Sequence, residues 1–396
     1  MDWSFLIRNK ESLCVSTDTR NLPTGCVFFA LHGEHFDGNT FAAQAIEQGA
    51  ALVVIDKPEY AIEGKTILVP DTLLALQELA REWRRTLNIP VIAITGTNGK
   101  TTTKELTAAV LATRYKVHYT QGNLNNQIGV PLTLLQLTRA HEIAIIEMGA
   151  SHPGDIKELV EIAEPTCGLI TNVGRAHLQG FGSFEGVMST KAELYDYLRQ
   201  HGGFIFRNTD NPYLAQMAGE LTTIPYSTGT MPEQSHLVGA YNAENVSAAI
   251  CVGTHFGIPY QQALEAVCAY EPSNKRSQLL QTAHNTIVVD AYNANPTSMQ
   301  AAINAFKGDT YILGEMRELG EYSHLEHQNI VNMLLERKAD KVLLVGKEYK
   351  ATTAPYPIYD DVQALCDALQ AQPIQHAHIL LKGSRGNKLE LSLPYL

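Results

Sequence analysis

Hydrophobic and polar positions along this chain fall into a rhythm of short apolar runs separated by stretches of helical period. In the first 88 residues the runs are CVFFAL at 26–31, AALVVI at 50–55 and KTILV at 65–69. A helical pattern over 72–87 follows and ends ahead of Pro90. A second block opens with VIAI at 91–94, turns through Gly, Thr and Asn, and continues as a helical pattern over 100–114. Further apolar runs at 143–147 and 168–171 alternate with helical segments, the order expected of a parallel sheet with both faces covered. After a helical stretch at 242–256, residues 270–275 (YEPSNK) are polar and contain a proline, which suits a linker. Beyond it TIVVD, TYILG, KVLLV and HAHILL repeat the strand–helix alternation. The pattern predicts an α/β protein of three domains. Residues 1–88 form a small α/β module, 89–270 a doubly wound parallel-sheet domain built on a phosphate loop, and 271–396 a Rossmann-like domain.

Composition narrows the partners. The chain has 396 residues, enough for two to four domains at roughly 100–200 residues each. With 45% hydrophobic and 18% charged residues it has ample material for packed cores. Acidic residues outnumber basic ones, 41 to 30, and the Lys and Arg are scattered, so neither nucleic acid nor an anionic membrane is an expected partner. No apolar run approaches the roughly 20 residues of a membrane helix. The opening MDWSFLIRNK lacks the charged, apolar and small-residue pattern of a secretion signal, so the cytoplasm is the expected address. Six cysteines at 14, 26, 167, 251, 268 and 366 have neither metal-site spacing nor the density of a disulfide scaffold, and buried free thiols are expected.

The strongest chemical signal is TGTNGKTTT at 95–103, between an apolar strand and a helix. Gly96 and Gly99 let the backbone curl so that N–H groups around Thr97, Asn98 and Thr102 point at phosphate oxygens, and the helix N-terminus adds positive potential. Lys100 then neutralises outer phosphates, and the Thr101 hydroxyl is placed to ligate Mg2+. The ordinary spacing wants glycine at 94, where this chain has Ile94, so the loop is a shortened form. Glu147 ends an apolar strand, where a second magnesium-directed acid is expected. Taken singly, His177 reads more readily as a structural histidine, Lys191 as a solvated lysine at a helix start, and Asp18 with Arg20 as a surface ion pair.

Order changes that weighting. The run GTNGKTTTKE is followed by TQGNLNNQIGVPLTLL, EMGASHPGDI, TNVGRAHLQGFGSFEGV, KAEL, GAYNAENVSAAI, DAYNANPTSM, LGEMRELGEYSHLEH and KGSRGNKLE. Together they resemble the Mur ligase family, whose phosphate loop is shortened in the same way. The resemblance implies ATP-dependent amide formation through an acyl phosphate in peptidoglycan precursor synthesis. It points to UDP-N-acetylmuramoyl-tripeptide and D-alanyl-D-alanine as substrates, with a single chain as the working unit.

The resemblance also implies roles. Asp18, Thr19 and Arg20 belong to a stretch similar to the family's uridine-diphosphate module, in which Gly33 and Gly38 permit close backbone approach. Asn123, Asn125 and Asn126 are implied at the muropeptide. Lys191 is implied to be carbamylated, becoming an anionic ligand for a second Mg2+ near His177. Asn245 is implied near adenine, Arg276 near the ATP phosphates and Asp290 near the ribose, while the loop 382–385 is a candidate for the dipeptide carboxylate. This sequence departs from the family at Tyr241, where many members carry histidine, and in a shorter segment between Lys191 and Gly239. The nearest rivals are a family ligase adding one amino acid and a folylpolyglutamate synthase-like enzyme. The first usually has a DNPR-like signature where this chain reads DAYNANP. A nucleotide switch or transport ATPase predicts an ordinary loop and no uridine module.

Overall fold

The protein is described here by a computed structural model covering residues 2–239, 241–272 and 276–396. Of the expected linker at 270–275, residues 273–275 lie outside the described residues. Among the described residues the strands gather into three larger sheets and one short hairpin, His32–Gly33 with Phe36–Asp37. The first sheet is parallel, in the order Val15–Ser16, Val27–Phe29, Leu52–Ile55, Thr66–Leu68. The second, also parallel, runs Thr223–Tyr226, Phe204–Asn208, Cys167–Ile170, Val91–Thr95, Ile143–Glu147, Val117–Tyr119. The third runs Gln278–Gln281, Thr286–Asp290, His378–Lys382, Thr310–Gly314, Lys341–Val345, Ile358–Tyr359, with only the first of these strands antiparallel.

Every residue of Val91–Thr95 and Ile143–Glu147 is buried, which is why both read as unbroken apolar runs rather than alternating ones. The two faces feed different cores. Ala93 packs with the cluster around the helix Thr72–Thr86, while Ile92 and Ile94 pack against Leu106, Val110 and Val246 from the helices Lys100–Leu111 and Asn242–His255. The first sheet is not packed in isolation: Val27, Phe29 and Val54 join Leu76, Leu79 and Trp83 in the same cluster as Ala93. Trp83 is fully buried and its indole donates to Leu137 O at 3.0 Å.

Two expectations need amendment. Cys14 is exposed, whereas Cys26, Cys167 and Cys366 are buried; all six cysteines are unpaired. Gly38 does make the expected close approach, since a Cβ there would lie 2.3 Å from Leu31 O, but Gly33 faces open space. The third sheet's antiparallel edge and the outer strands Phe204–Asn208 and Thr223–Tyr226 were not among the predicted strands. Those outer strands occupy the short segment between Lys191 and Gly239 and extend the central sheet in parallel.

A buried polar network locks the first sheet to the helix Thr72–Thr86. Asn39, fully buried, donates from Nδ2 to Asp37 Oδ1 at 2.9 Å and Asp56 Oδ1 at 2.8 Å, and accepts from Asp56 N at 3.1 Å. Asp56 in turn accepts from the Thr72 hydroxyl at 3.1 Å at the start of that helix. Lys57 donates to Asp37 at 2.6 Å, and with Asn39 holds its carboxyl down to about 2. Removing the amide takes one hydrogen-bond donor from each of two carboxylates, so Asn39→Ala is expected to cost about 2 kcal/mol. Hydrogen exchange of the Leu52–Ile55 amides would report it, and unchanged protection would show that the network is dispensable.

Candidate active site

The strand Val91–Thr95 lies between Ile143–Glu147 and Cys167–Ile170, so chain crossovers leave it in opposite directions. Loops beyond such a switch point separate and leave a crevice at the strands' carboxyl ends. Into that crevice fall the phosphate loop, Glu147 with the residues after it, and residues 172–177. The third sheet faces it with Lys382 and with the segments after Thr286–Asp290 and Thr310–Gly314. The result is a cleft of about 730 Å³ lined by Thr97, Lys100, Glu147, His177, Arg276 and Asp290, among others.

The phosphate loop is held by two close approaches. Gly96 has φ +141 and a Cβ there would lie 2.0 Å from Thr171 Oγ1. Gly99 has φ +79, caps the helix Lys100–Leu111, and would place a Cβ 2.3 Å from Asn245 Oδ1. Both are left-handed positions that only glycine meets without strain. Side-chain bonds finish the shape. Thr171 Oγ1 donates to Asn98 O at 2.6 Å, Asn98 N to Asn172 Oδ1 at 3.0 Å, and Gly174 N to Thr97 Oγ1 at 2.9 Å. Lys100 Nζ donates to the carbonyls of Gly96 and Thr97 at 2.7 and 3.2 Å. Burial pushes its ammonium down to about 8, with Glu147 acting the other way. Thr101 and Thr102, both buried, also line the cleft.

Glu147 is 2% exposed at the end of its strand. Its Oε1 accepts from Asn125 Nδ2 at 2.8 Å, while Oε2 is buried with no hydrogen-bond partner among the described residues. Asn123, Asn125 and Asn126 all reach the cleft. Asn126 also acts as a turn residue, its Oδ1 accepting from Gly129 N at 2.8 Å.

His177 and Lys191 flank one aromatic ring. His177 sits edge-on to Phe181, centroids 6.2 Å apart, and Lys191 Nζ lies 5.6 Å from the centre of the same ring. Lys191 stands inside the helix Phe184–Gln200 and is 2% exposed, so the solvated reading of it is wrong. Burial, reinforced by the positive charge of Lys100, drives its amine well below the ordinary lysine value. His177 adopts φ +50 and pairs through Nδ1 with Glu318 Oε2, from the segment after Thr310–Gly314. Around it the second and third sheets are stitched together. Arg175 pairs with buried Glu326 at 3.2 Å, Arg175 N donates to Thr297 Oγ1 at 3.0 Å, and Asn295 Nδ2 donates to Asn98 Oδ1 at 2.8 Å.

From the third sheet, Arg276 stacks its guanidinium 3.9 Å from the Tyr292 ring centre. Its Nε is buried without a hydrogen-bond partner among the described residues. Asp290 is paired with Lys382 at 2.6 Å, and Lys382 is 1% exposed, so that lysine neutralises Asp290 and is not a free cation for a carboxylate. Asn245, buried beneath the loop, accepts from Thr103 Oγ1 at 2.9 Å. Tyr241 reaches the cleft wall with its hydroxyl 2.7 Å from Ser277 Oγ. The cleft does not gather Asp18, Thr19 and Arg20. There Arg20 is exposed and paired with Asp18 at 2.6 Å, which holds that carboxyl down to about 2. Residue-by-residue reading passed over Asn172, Tyr292 and Glu318. All three lie in family-like runs, TNVGRAH, DAYNANP and LGEMREL, and none carries a residue-type signal of its own.

Fold and site together define a phosphate-loop enzyme whose nucleotide cleft is completed by a second parallel sheet. Residues 13–84 match the Mur ligase family catalytic domain, 94–231 the Mur ligase middle domain, and 275–385 the Mur ligase glutamate ligase domain. The chain belongs to the Mur ligase family. It is 36% identical to UDP-N-acetylmuramoyl-tripeptide--D-alanyl-D-alanine ligase of Bacillus subtilis, over 95% of this chain and 91% of that one. To the enzyme of the same name in Escherichia coli it is 34% identical, over 95% and 92%. Among solved structures it is similar to MurF of Acinetobacter baumannii, with TM-score 0.86, 28% identity, and 96% and 92% of the two chains covered. It matches MurF ligase of Thermotoga maritima in complex with ADP equally well, with TM-score 0.86, 26% identity and 97% of each chain covered.

The two close approaches make a direct demand. Gly99→Ala forces a methyl group against Asn245 and strains φ, so kcat/KM for ATP is expected to fall by at least about tenfold. Steady-state kinetics with ATP as the varied substrate would measure it, and a wild-type value would show that the loop tolerates displacement of Asn245.

Proposed function

We propose that this chain is the ATP-dependent ligase that joins D-alanyl-D-alanine to UDP-N-acetylmuramoyl-tripeptide, in the cytoplasm and as a monomer. The observation carrying this is near full-length likeness to ligases of that name, combined with a phosphate loop, a buried carboxylate oxygen that accepts no hydrogen bond among the described residues, and an arginine meeting in one cleft. The division 1–88, 89–270 and 271–396 is proposed as substrate, ATP and closing domains. It is supported by the way each larger sheet draws its strands from one span.

The residues present fit a divalent cation. Glu147 Oε2 is buried and accepts no hydrogen bond among the described residues, and the Thr101 hydroxyl belongs to the same cleft. When bound, Mg2+ supplies Lewis-acid stabilisation of phosphate charge. Thr101 and Glu147 would hold one ion. Lys191 as its carbamate would hold a second, with His177, whose Nε2 is the ring nitrogen left over from the Glu318 pair. Carbamylation requires a neutral amine to attack CO2 and then lose a proton, and the buried setting of Lys191 favours that neutral form.

The chain's own groups then divide the work. Backbone amides of residues 96–101 and Lys100 orient the triphosphate, and Asn245 is assigned to the adenine end with Asp290 to the ribose. Arg276, held against Tyr292, brings a fixed positive charge to the phosphoryl group as it passes to the tripeptide carboxylate. The acyl phosphate so formed is attacked by the dipeptide amine, and phosphate departs as the amide closes. Contacts such as Arg175–Glu326 and His177–Glu318 close the cleft over this intermediate and exclude water. Asn123, Asn125 and Asn126 are assigned to the muropeptide, and Asp18, Thr19 and Arg20 to the uridine diphosphate, for which Arg20 would exchange its Asp18 partner.

Phosphate release from ATP and UDP-N-acetylmuramoyl-tripeptide is expected to depend on D-alanyl-D-alanine. Stimulation by a single amino acid but not by the dipeptide would overturn the substrate assignment. Lys191→Ala is expected to lose most activity and Lys191→Glu to recover part of it, while stripping CO2 from the wild type slows turnover until bicarbonate is restored. Full activity of the alanine variant would sink the carbamate.

A further inference from the structure

Lys104 takes no part in the chemistry above, yet it is among the largest side chains held wholly out of solvent. It lies one helical turn beyond Lys100, on the same face of Lys100–Leu111. Its Nζ is 3.7 Å from Glu147 Oε2, 3.8 Å from Glu105 Oε1 and 5.6 Å from the centre of the Tyr119 ring. Neither Nζ nor Glu147 Oε2 has a hydrogen-bond partner among the described residues. Glu105 is itself anchored by the Tyr270 hydroxyl, which donates to its carboxylate.

A buried lysine without a hydrogen bond is a poor core filler. Apolar residues of similar volume often replace buried charges with no loss of stability, so packing does not account for it. What lysine supplies here, and methionine would not, is a fixed positive charge beside the Glu147 oxygen that Asn125 leaves free. At 3.7 Å the contact is too long to occupy that oxygen by hydrogen bonding, but close enough to set its potential. We propose that Lys104 lowers the affinity of Glu147 for a divalent cation, so that the ion is held firmly only when nucleotide phosphates share it. Metal then enters and leaves with nucleotide instead of residing in the cleft. Lys104 is a positioning residue that acts through Glu147, and the proposal rests on the reading of Glu147 as a metal ligand.

The test is Mn2+ titrated into the nucleotide-free, full-length protein, with free ion followed by electron paramagnetic resonance. Lys104→Met and Lys104→Gln are expected to bind Mn2+ at least about fivefold more tightly than the wild type, because a neighbouring like charge has been removed. They are also expected to gain less affinity than the wild type when a non-hydrolysable ATP analogue is added. Unchanged or weaker binding in whichever of the two variants folds overturns the proposal. Glu147→Gln separates the two layers. If it abolishes Mn2+ binding while the Lys104 variants match the wild type, Lys104 alone is misassigned; if it binds Mn2+ as the wild type does, the metal-ligand reading beneath it fails.

Discussion

The approach of two glycines to their neighbours sets the geometry on which the rest of the site depends. Gly96 leaves no room between the loop and Thr171, and Gly99 leaves none between the helix start and Asn245. A phosphate cradle works only when its amides converge, and convergence needs a backbone curled through left-handed conformations. The neighbours that press on the glycines are themselves fixed. Thr171 follows the strand Cys167–Ile170, and Asn245 sits in the helix Asn242–His255, braced by Thr103 and Asn242. Sheet, helix and loop are therefore one construction. The buried strand Val91–Thr95 holds the loop at the switch point, and the packing of Leu106, Val110 and Val246 holds the helices that close on it.

Much of this was legible in sequence because buried parallel strands leave an unmistakable trace. The runs at 91–94, 143–147, 286–290, 310–314 and 341–345 each become a strand at or within a residue of those bounds, since burial on both faces forbids polar interruptions. Edge strands leave less. Val117–Tyr119 and Ile358–Tyr359 are short and half-buried, and Gln278–Gln281 sets two adjacent leucines between glutamines with Leu279 exposed, so periodicity could not separate them from loops. The phosphate loop was readable because its chemistry is contiguous. Glu318 and the Lys382–Asp290 pair were not, because Glu318 meets His177 only where the third sheet approaches the second, and Lys382 meets Asp290 only through the strand order in which His378–Lys382 inserts beside Thr286–Asp290. Local sequence makes Lys382 a loop cation; only the pairing of distant strands makes it a buried counter-ion.

Family order and local residue reading give different weight to the same side chains, and burial bears on each. Lys191 is a buried helical residue beside Phe181, not the solvated lysine of the local reading. Asp18 and Arg20, by contrast, form the exposed ion pair that local reading favoured. The two readings are compatible for Arg20. An exposed pair contributes little to stability, so a guanidinium held only by Asp18 is cheaply released to a diphosphate that offers the same bidentate geometry with more charge. A residue buried as deeply as Lys191 has no such freedom, and whatever role it has must be exercised where it stands.

The charge distribution carries the argument one step further. A chain of formal charge −11 that handles a triphosphate, a diphosphate and a carboxylate needs positive charge where the anions meet and must avoid it elsewhere. Lys100 and Arg276, which both line the cleft, are proposed to meet that need, one from beside the central sheet and one from beside the third. Lys382 and Lys104, although close by, are each held against carboxylates, Asp290 in the first case and Glu147 with Glu105 in the second. The site therefore holds its cations in two settings: Lys100 and Arg276 are the pair proposed to meet the phosphates, whereas Lys382, which also lines the cleft, and Lys104 are each held against acids. Because the cleft-facing pair is split between two sheets, its full field exists only where the sheets close together. The contacts that bring them together, Asn98 with Asn295 and Arg175 with Glu326, are thus part of the electrostatics of the site as well as its packing.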